Sequence, residues 1–96
     1  MADATTIFSE ISVRIIREQE LIIGPVAWEE AQKVSGLTVS ADHSEVSVTG
    51  EPKDVLNRLV AQYSRLFGKV SSEVCKEAAQ DLLVELPTDQ VPSSLQ

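Results

Sequence analysis

Ninety-six residues, 43% of them hydrophobic, suit one small domain with a single core, and with only four aromatics (Phe8, Trp28, Tyr63 and Phe67) the aliphatic residues must fill it. Fifteen acids against eight bases leave a net charge of −7, which disfavours loose attraction to nucleic acid or anionic lipid and makes a protein with a basic surface the natural partner. No apolar run approaches a membrane span, residues 1–10 lack the basic-then-apolar order of a signal peptide, and Cys75 is the one cysteine. The expectation is a reduced, cytoplasmic chain without membrane insertion.

Residues 1–5 are polar and expected to be flexible, leaving one α+β domain over residues 6–86. Thr6 or Ser9 can cap a first helix whose apolar positions, Phe8, Ile11, Ile15, Ile22 and Ile23, fall at roughly helical spacing, although Glu18 and Gln19 interrupt the stripe. Ile11, Val13 and Ile15 also alternate as in a strand. Helix is favoured because Glu10 and Arg14 form an i,i+4 pair and residues 17–21 are rich in helix formers. Gly24-Pro25 breaks this helix, since glycine suits the turn and proline the first turn of the next helix. The second helix, 25–34, carries Ala27, Ala31 and Val34 on one face and Glu29, Glu30 and Lys33 on another, with Gly36 as a left-handed cap.

Leu37, Val39 and Ala41 alternate with Thr38 and Ser40, and Val46 and Val48 alternate with Glu45, Ser47 and Thr49, on either side of Asp42-His43-Ser44. This predicts a β-hairpin with one buried face, which needs a helix layer or a second hairpin from another copy to cover it. Pro52 opens a third helix in which Val55, Leu56, Leu59, Val60, Tyr63, Leu66 and Phe67 make a 3-4 stripe, and Gly68 ends it. Ser71 or Ser72 then caps a fourth helix through Val74, Ala78, Leu82, Leu83 and Leu86, which Pro87 stops. Residues 87–96 are polar and proline-bearing and are expected to form a disordered tail. The element order is therefore α-α-β-β-α-α, with two helix pairs broken at Gly24 and Gly68 flanking the hairpin.

Those two pairs echo one another. Ile22-Ile23-Gly24-Pro25-Val26 and Leu66-Phe67-Gly68-Lys69-Val70 lie 44 positions apart, and Ile11, Ile15 and Ile16 align with Val55, Leu59 and Val60. A duplication would give two pairs packed with approximate two-fold symmetry; the bland account is that any two amphipathic helices broken at glycine look alike.

The order of residues 17–24, a following helix, the alternating segment 37–49 and the helix from Pro52 resembles that of a KH domain, with Ile22-Ile23-Gly24 at the place of its glycine loop. That resemblance implies single-strand nucleic-acid binding, but the G-x-x-G clamp and its basic neighbours are absent: Gly24 is followed by Pro25-Val26-Ala27, and then by Trp28, Glu29 and Glu30. The phrase Ile-Ile-Gly-Pro-x-Ala also resembles a turn in small helical accessory modules of bacterial signalling proteins, which implies regulation or assembly.

No catalytic, cofactor-binding or metal-ligating set emerges. His43 is the one histidine and sits in the hairpin turn, so nucleophile-base schemes would depend on it, and no phosphate loop occurs. Cys75 near the start of the fourth helix is either a reactive thiol or a small packed residue on the Val74/Ala78 side. Trp28, followed by Glu29 and Glu30, and with Tyr63 on the third helix, supplies the candidate partner-binding residues, although a lone tryptophan also suits a core. The expectation is a non-enzymatic regulatory or assembly module, a homodimer that contacts another protein through an acidic surface. A degenerate KH-like nucleic-acid binder and a thiol-dependent protein using Cys75 are the alternatives.

Overall fold

The computed structural model describes residues 4–96, with side chains from residue 6 onward. Residues 1–3, expected to be flexible, lie outside the described residues, and residues 4 and 5 already belong to the first helix. That helix, α1 (Ala4–Ile23), buries Ile7, Phe8, Ile11, Ile15 and Ile16 at the 3-4 spacing of one face. Ser12 tolerates the same face because its hydroxyl donates to the Phe8 carbonyl at 3.0 Å. Gln19 does not interrupt the stripe as its polarity suggests; it is fully buried.

Gly24 (φ +81°) closes α1 by donating its N–H to the Glu20 carbonyl at 2.9 Å. The chain then turns into α2 (Val26–Gln32), shorter than the expected 25–34, with Ala27, Trp28, Glu30 and Ala31 buried. Two strands follow, β1 (Leu37–Val39) and β2 (Val46–Val48), antiparallel with Leu37 opposite Val48, Thr38 opposite Ser47 and Val39 opposite Val46. They are shorter than the alternation suggests: Ala41 is exposed, in the loop. Leu37 and Val46 enter the core while α1 lies beside β2 and α2 beside β1, so helices of the same chain cover the hairpin. Gly36 permits this close packing. It has φ +92°, and a Cβ there would meet Val55 Cγ2 at 2.7 Å and the Thr49 carbonyl at 2.9 Å.

α3 (Pro52–Phe67) has proline in its first turn and buries Val55, Leu56, Leu59, Val60 and Tyr63. α4 (Lys69–Leu83) begins directly after Gly68, two residues before the expected serine cap. Its buried line is Ser71, Cys75, Ala79 and Leu82, so Cys75 belongs to the core-facing line and Val74 and Ala78, expected in the core, are only partly covered. The described residues are mostly helical, with four α-helices and one two-stranded antiparallel sheet among them. α2 and α4, which the sequence echo pairs, differ in length at 7 and 15 residues.

Residues 87–96 depart from the expected disorder. They form two 3₁₀ turns, Thr88–Gln90 and Ser93–Leu95, and lie against α3 and α4. Pro92 and Leu95 are buried, and the Ser94 N–H and hydroxyl donate to Asn57 Oδ1 at 3.0 and 2.6 Å. Polar composition misleads here because two apolar side chains suffice to anchor a short segment, and the prolines lower the entropy lost on ordering it.

Candidate functional site

Of the four residues expected to touch a partner, Trp28 is 2% exposed and Tyr63 is fully buried. The Tyr63 hydroxyl donates to the Ala27 carbonyl at 2.6 Å, which ties α3 to the start of α2. Burial pushes the Tyr63 phenol well above its ordinary range, because the charged form would lose its hydration. Glu30 is also largely covered: it accepts from Lys33 Nζ at 2.9 Å and from Gln62 Nε2 at 2.7 Å. The Lys33 hydrogen bond, followed by that from Gln62, holds its carboxyl below the usual range. Glu29 alone of the four is exposed. The structure thus gathers Tyr63, Glu30 and the backbone beside Trp28 into one α2–α3 junction, whose role is to join helices.

His43 is more than a turn residue. It has φ +59°, and its ring stacks on Trp28 with centroids 4.8 Å apart and planes 8° from parallel. The loop that carries it is pinned by Asp42, whose Oδ1 accepts from the Ser40 and Ser44 hydroxyls, each at 2.7 Å, and from the Ser44 N–H at 3.2 Å. These donors, the Ser40 hydroxyl first, bring the Asp42 carboxyl from 3.8 down to about 2. The hairpin loop therefore acts as a lid on the tryptophan.

Cys75 is fully buried and burial pushes its thiol up to about 11. Its sulfur lies 3.4 Å from Gln19 Nε2, which also donates to the Ser71 carbonyl at 2.9 Å. Among the described residues Gln19 Oε1 finds no hydrogen-bond partner, although it is buried. A neutral, enclosed thiol is a poor nucleophile, so this group is a polar rivet between α1 and α4.

Among the described residues, five of the six exposed large apolar side chains lie elsewhere and gather at one end; the sixth, Val84, 82% exposed, stands at the far end of α4. Arg14 approaches Asp81, and Gln19 reaches Ser71 and Cys75, so α1 and α4 run antiparallel. The last turn of α1 therefore lies beside the first turn of α4 and the Gly68 joint. At this end Leu21 is 80% and Val70 70% exposed, joined by Ile22, Leu66 and Phe67. A helix of 20 residues is about 30 Å long, nearly the 32 Å long axis of the molecule, which carries the end of α1 beyond the core that covers its middle. Ile22, Leu66 and Phe67 continue buried stripes in the sequence, and periodicity does not reveal where covering neighbours run out. The usable signal was their place next to glycine breaks.

Below that end an open groove of about 520 Å³ runs between α1 and α4, lined among others by Arg14, Arg17, Leu21, Val74, Glu77 and Asp81. A second, of about 570 Å³, separates α1 from the loop and β2; a third, of about 340 Å³, lies between α2 and α3 with Lys33, Arg58 and Arg65 along it. Among the described residues no group of three or more His, Cys, Asp or Glu side chains is placed to hold a metal ion, and no helix is long and apolar enough to cross a membrane. No protein-family model, curated protein or solved structure matches this chain.

Proposed function

We propose that this chain is a non-enzymatic protein-interaction module of regulatory or assembly type, working in the cytoplasm as a homodimer and adaptor. The observation that carries this reading is the apolar end formed by Leu21, Ile22, Leu66, Phe67 and Val70, drawn from three helices that meet at the glycine joints. A cluster of large apolar side chains held in water at one site is a feature of surfaces that are covered in an assembly. Trp28 and Tyr63 contribute by fixing the α2–α3 scaffold, and Glu29 with the overall charge of −7 favours a partner with a basic surface. The buried, protonated Cys75 argues against thiol chemistry as the purpose of the fold.

The test is affinity capture, with identification of the bound proteins, for wild type beside a Leu21→Asp/Val70→Asp variant. Both positions are largely exposed, so each substitution should change the stability of the fold by no more than about 0.5 kcal/mol. The reading expects a specific set bound by wild type and lost in the variant. An identical set from both proteins, or none from wild type, would refute it.

A further inference from the structure

The α1–α4 groove is sorted by side and by level. Arg14 and Arg17 stand on its α1 side with Glu18 beside them, leaving that side net positive, Glu77 and Asp81 stand on its α4 side, and Leu21 with Val74 forms an apolar step toward the glycine joints. Arg14 meets Asp81 across the groove at 3.8 Å. Antiparallel helices then set Arg17 level with Glu77, and Leu21 level with Val74. Arg17 and Glu77 are exposed, and among the described residues neither makes an ion pair within the chain.

We infer that a second copy of this chain occupies the groove, related by a two-fold axis parallel to α1 and α4. The inference deepens the interaction reading above and rests on it. Rotation about such an axis preserves height along the helices, so α1 of one copy faces α4 of the other. Arg17 then stands opposite the partner's Glu77, Arg14 opposite the partner's Asp81, and Leu21 opposite the partner's Val74. A two-fold axis running across the helices inverts height instead and lays α1 on α1, setting Leu21 toward Arg14 and leaving the acids of α4 facing each other. Of the two, the first sets the net-positive α1 side, two bases against the one acid Glu18, on the acids of α4 and meets apolar with apolar. The resulting four-helix layer covers the exposed Leu21 and brings the two apolar ends side by side.

Every contact occurs twice in a symmetric dimer, so a single charge reversal acts twice. Sedimentation equilibrium on the full chain tests the pairing, with circular dichroism confirming that each variant is folded. Wild type should dimerise, and Arg17→Glu or Glu77→Arg alone should weaken the dimer by at least about tenfold. The Arg17→Glu/Glu77→Arg protein should recover to within about threefold of wild type. A dimer indifferent to both single reversals overturns the inference, because another face must hold it. A wild type that stays monomeric at high concentration also overturns it. If such a monomer still captures a protein in a manner that depends on Leu21 and Val70, the interaction reading stands without the dimer; if it captures nothing, both fall.

Discussion

Cys75 shows how one side chain can look chemical in the sequence and act mechanically in the fold. Its position near a helix start would favour the thiolate, yet its sulfur sits on the α1-facing line of α4, where losing water outweighs the helix dipole. The folded thiol titrates near 11 against an ordinary 9.0, so the native state holds this proton more tightly than the unfolded chain. The associated stability is present in full below pH 9 and is lost as pH rises through 11. Linkage puts the loss at about 2 kcal/mol between those two values. Urea unfolding of wild type beside Cys75→Ala reads it directly. At neutral pH the variant should be less stable through lost packing, and the gap should narrow across this window. Tyr63 is shifted in the same direction by burial, but it is present in both proteins and largely cancels. A gap that stays constant from pH 8 to pH 11 would sink the assignment of a protonated, buried thiol.

At the scale of elements, the segment 87–96 offers the sharpest contrast between composition and structure. Leu95 is 4% exposed, and burying such a side chain is worth about 1.5–3 kcal/mol, with the Ser94–Asn57 hydrogen bonds adding to it and the ordering of the segment opposing it. Truncation after Leu86 should therefore lower the unfolding free energy by about 1–3 kcal/mol. Leu95→Ala alone should reproduce a large part of that loss. An unchanged urea midpoint in both proteins would mean that the segment contributes nothing to the fold. The four helices and the hairpin were legible because their signals are local: the 3-4 stripe from Val55 to Tyr63, proline opening α3, and alternation around Asp42-His43-Ser44. The rotational phase of α4 was not legible. Val74 and Ala78 look as apolar as Cys75 and Ala79, and the choice between the two lines depends on α1, whose Gln19 reaches Ser71 and Cys75. The burial of three of the four candidate partner-binding residues was hidden for the same reason. Trp28, Tyr63 and Glu30 have surface-capable chemistry, and their burial is decided by His43, Ala27 and Gln62, distant in sequence.

At the scale of the whole molecule, charge and apolar exposure point the same way. The turn that resembles a KH glycine loop lies next to the apolar end, flanked by Leu21, Ile22 and Pro25, with Pro25 lacking an N–H for a phosphate. The bases that do gather, Lys33, Arg58 and Arg65, line the α2–α3 groove, and each is engaged: Lys33 on Glu30, Arg58 on the Ser35 carbonyl and Arg65 on Gln62. Releasing them for phosphates would leave Glu30 partly buried without its cation, and the remaining surface carries a net negative charge that repels a polyanion. Short single-stranded RNA titrated at low salt, where counterion release favours binding most, should accordingly produce no saturable signal. Titration is decisive in either direction: saturable binding that weakens steeply with added salt, and falls again on Arg58→Ala, would place nucleic acid in the α2–α3 groove. A flat titration removes the nucleic-acid reading and leaves the proposed protein contacts at the apolar end to be decided by capture.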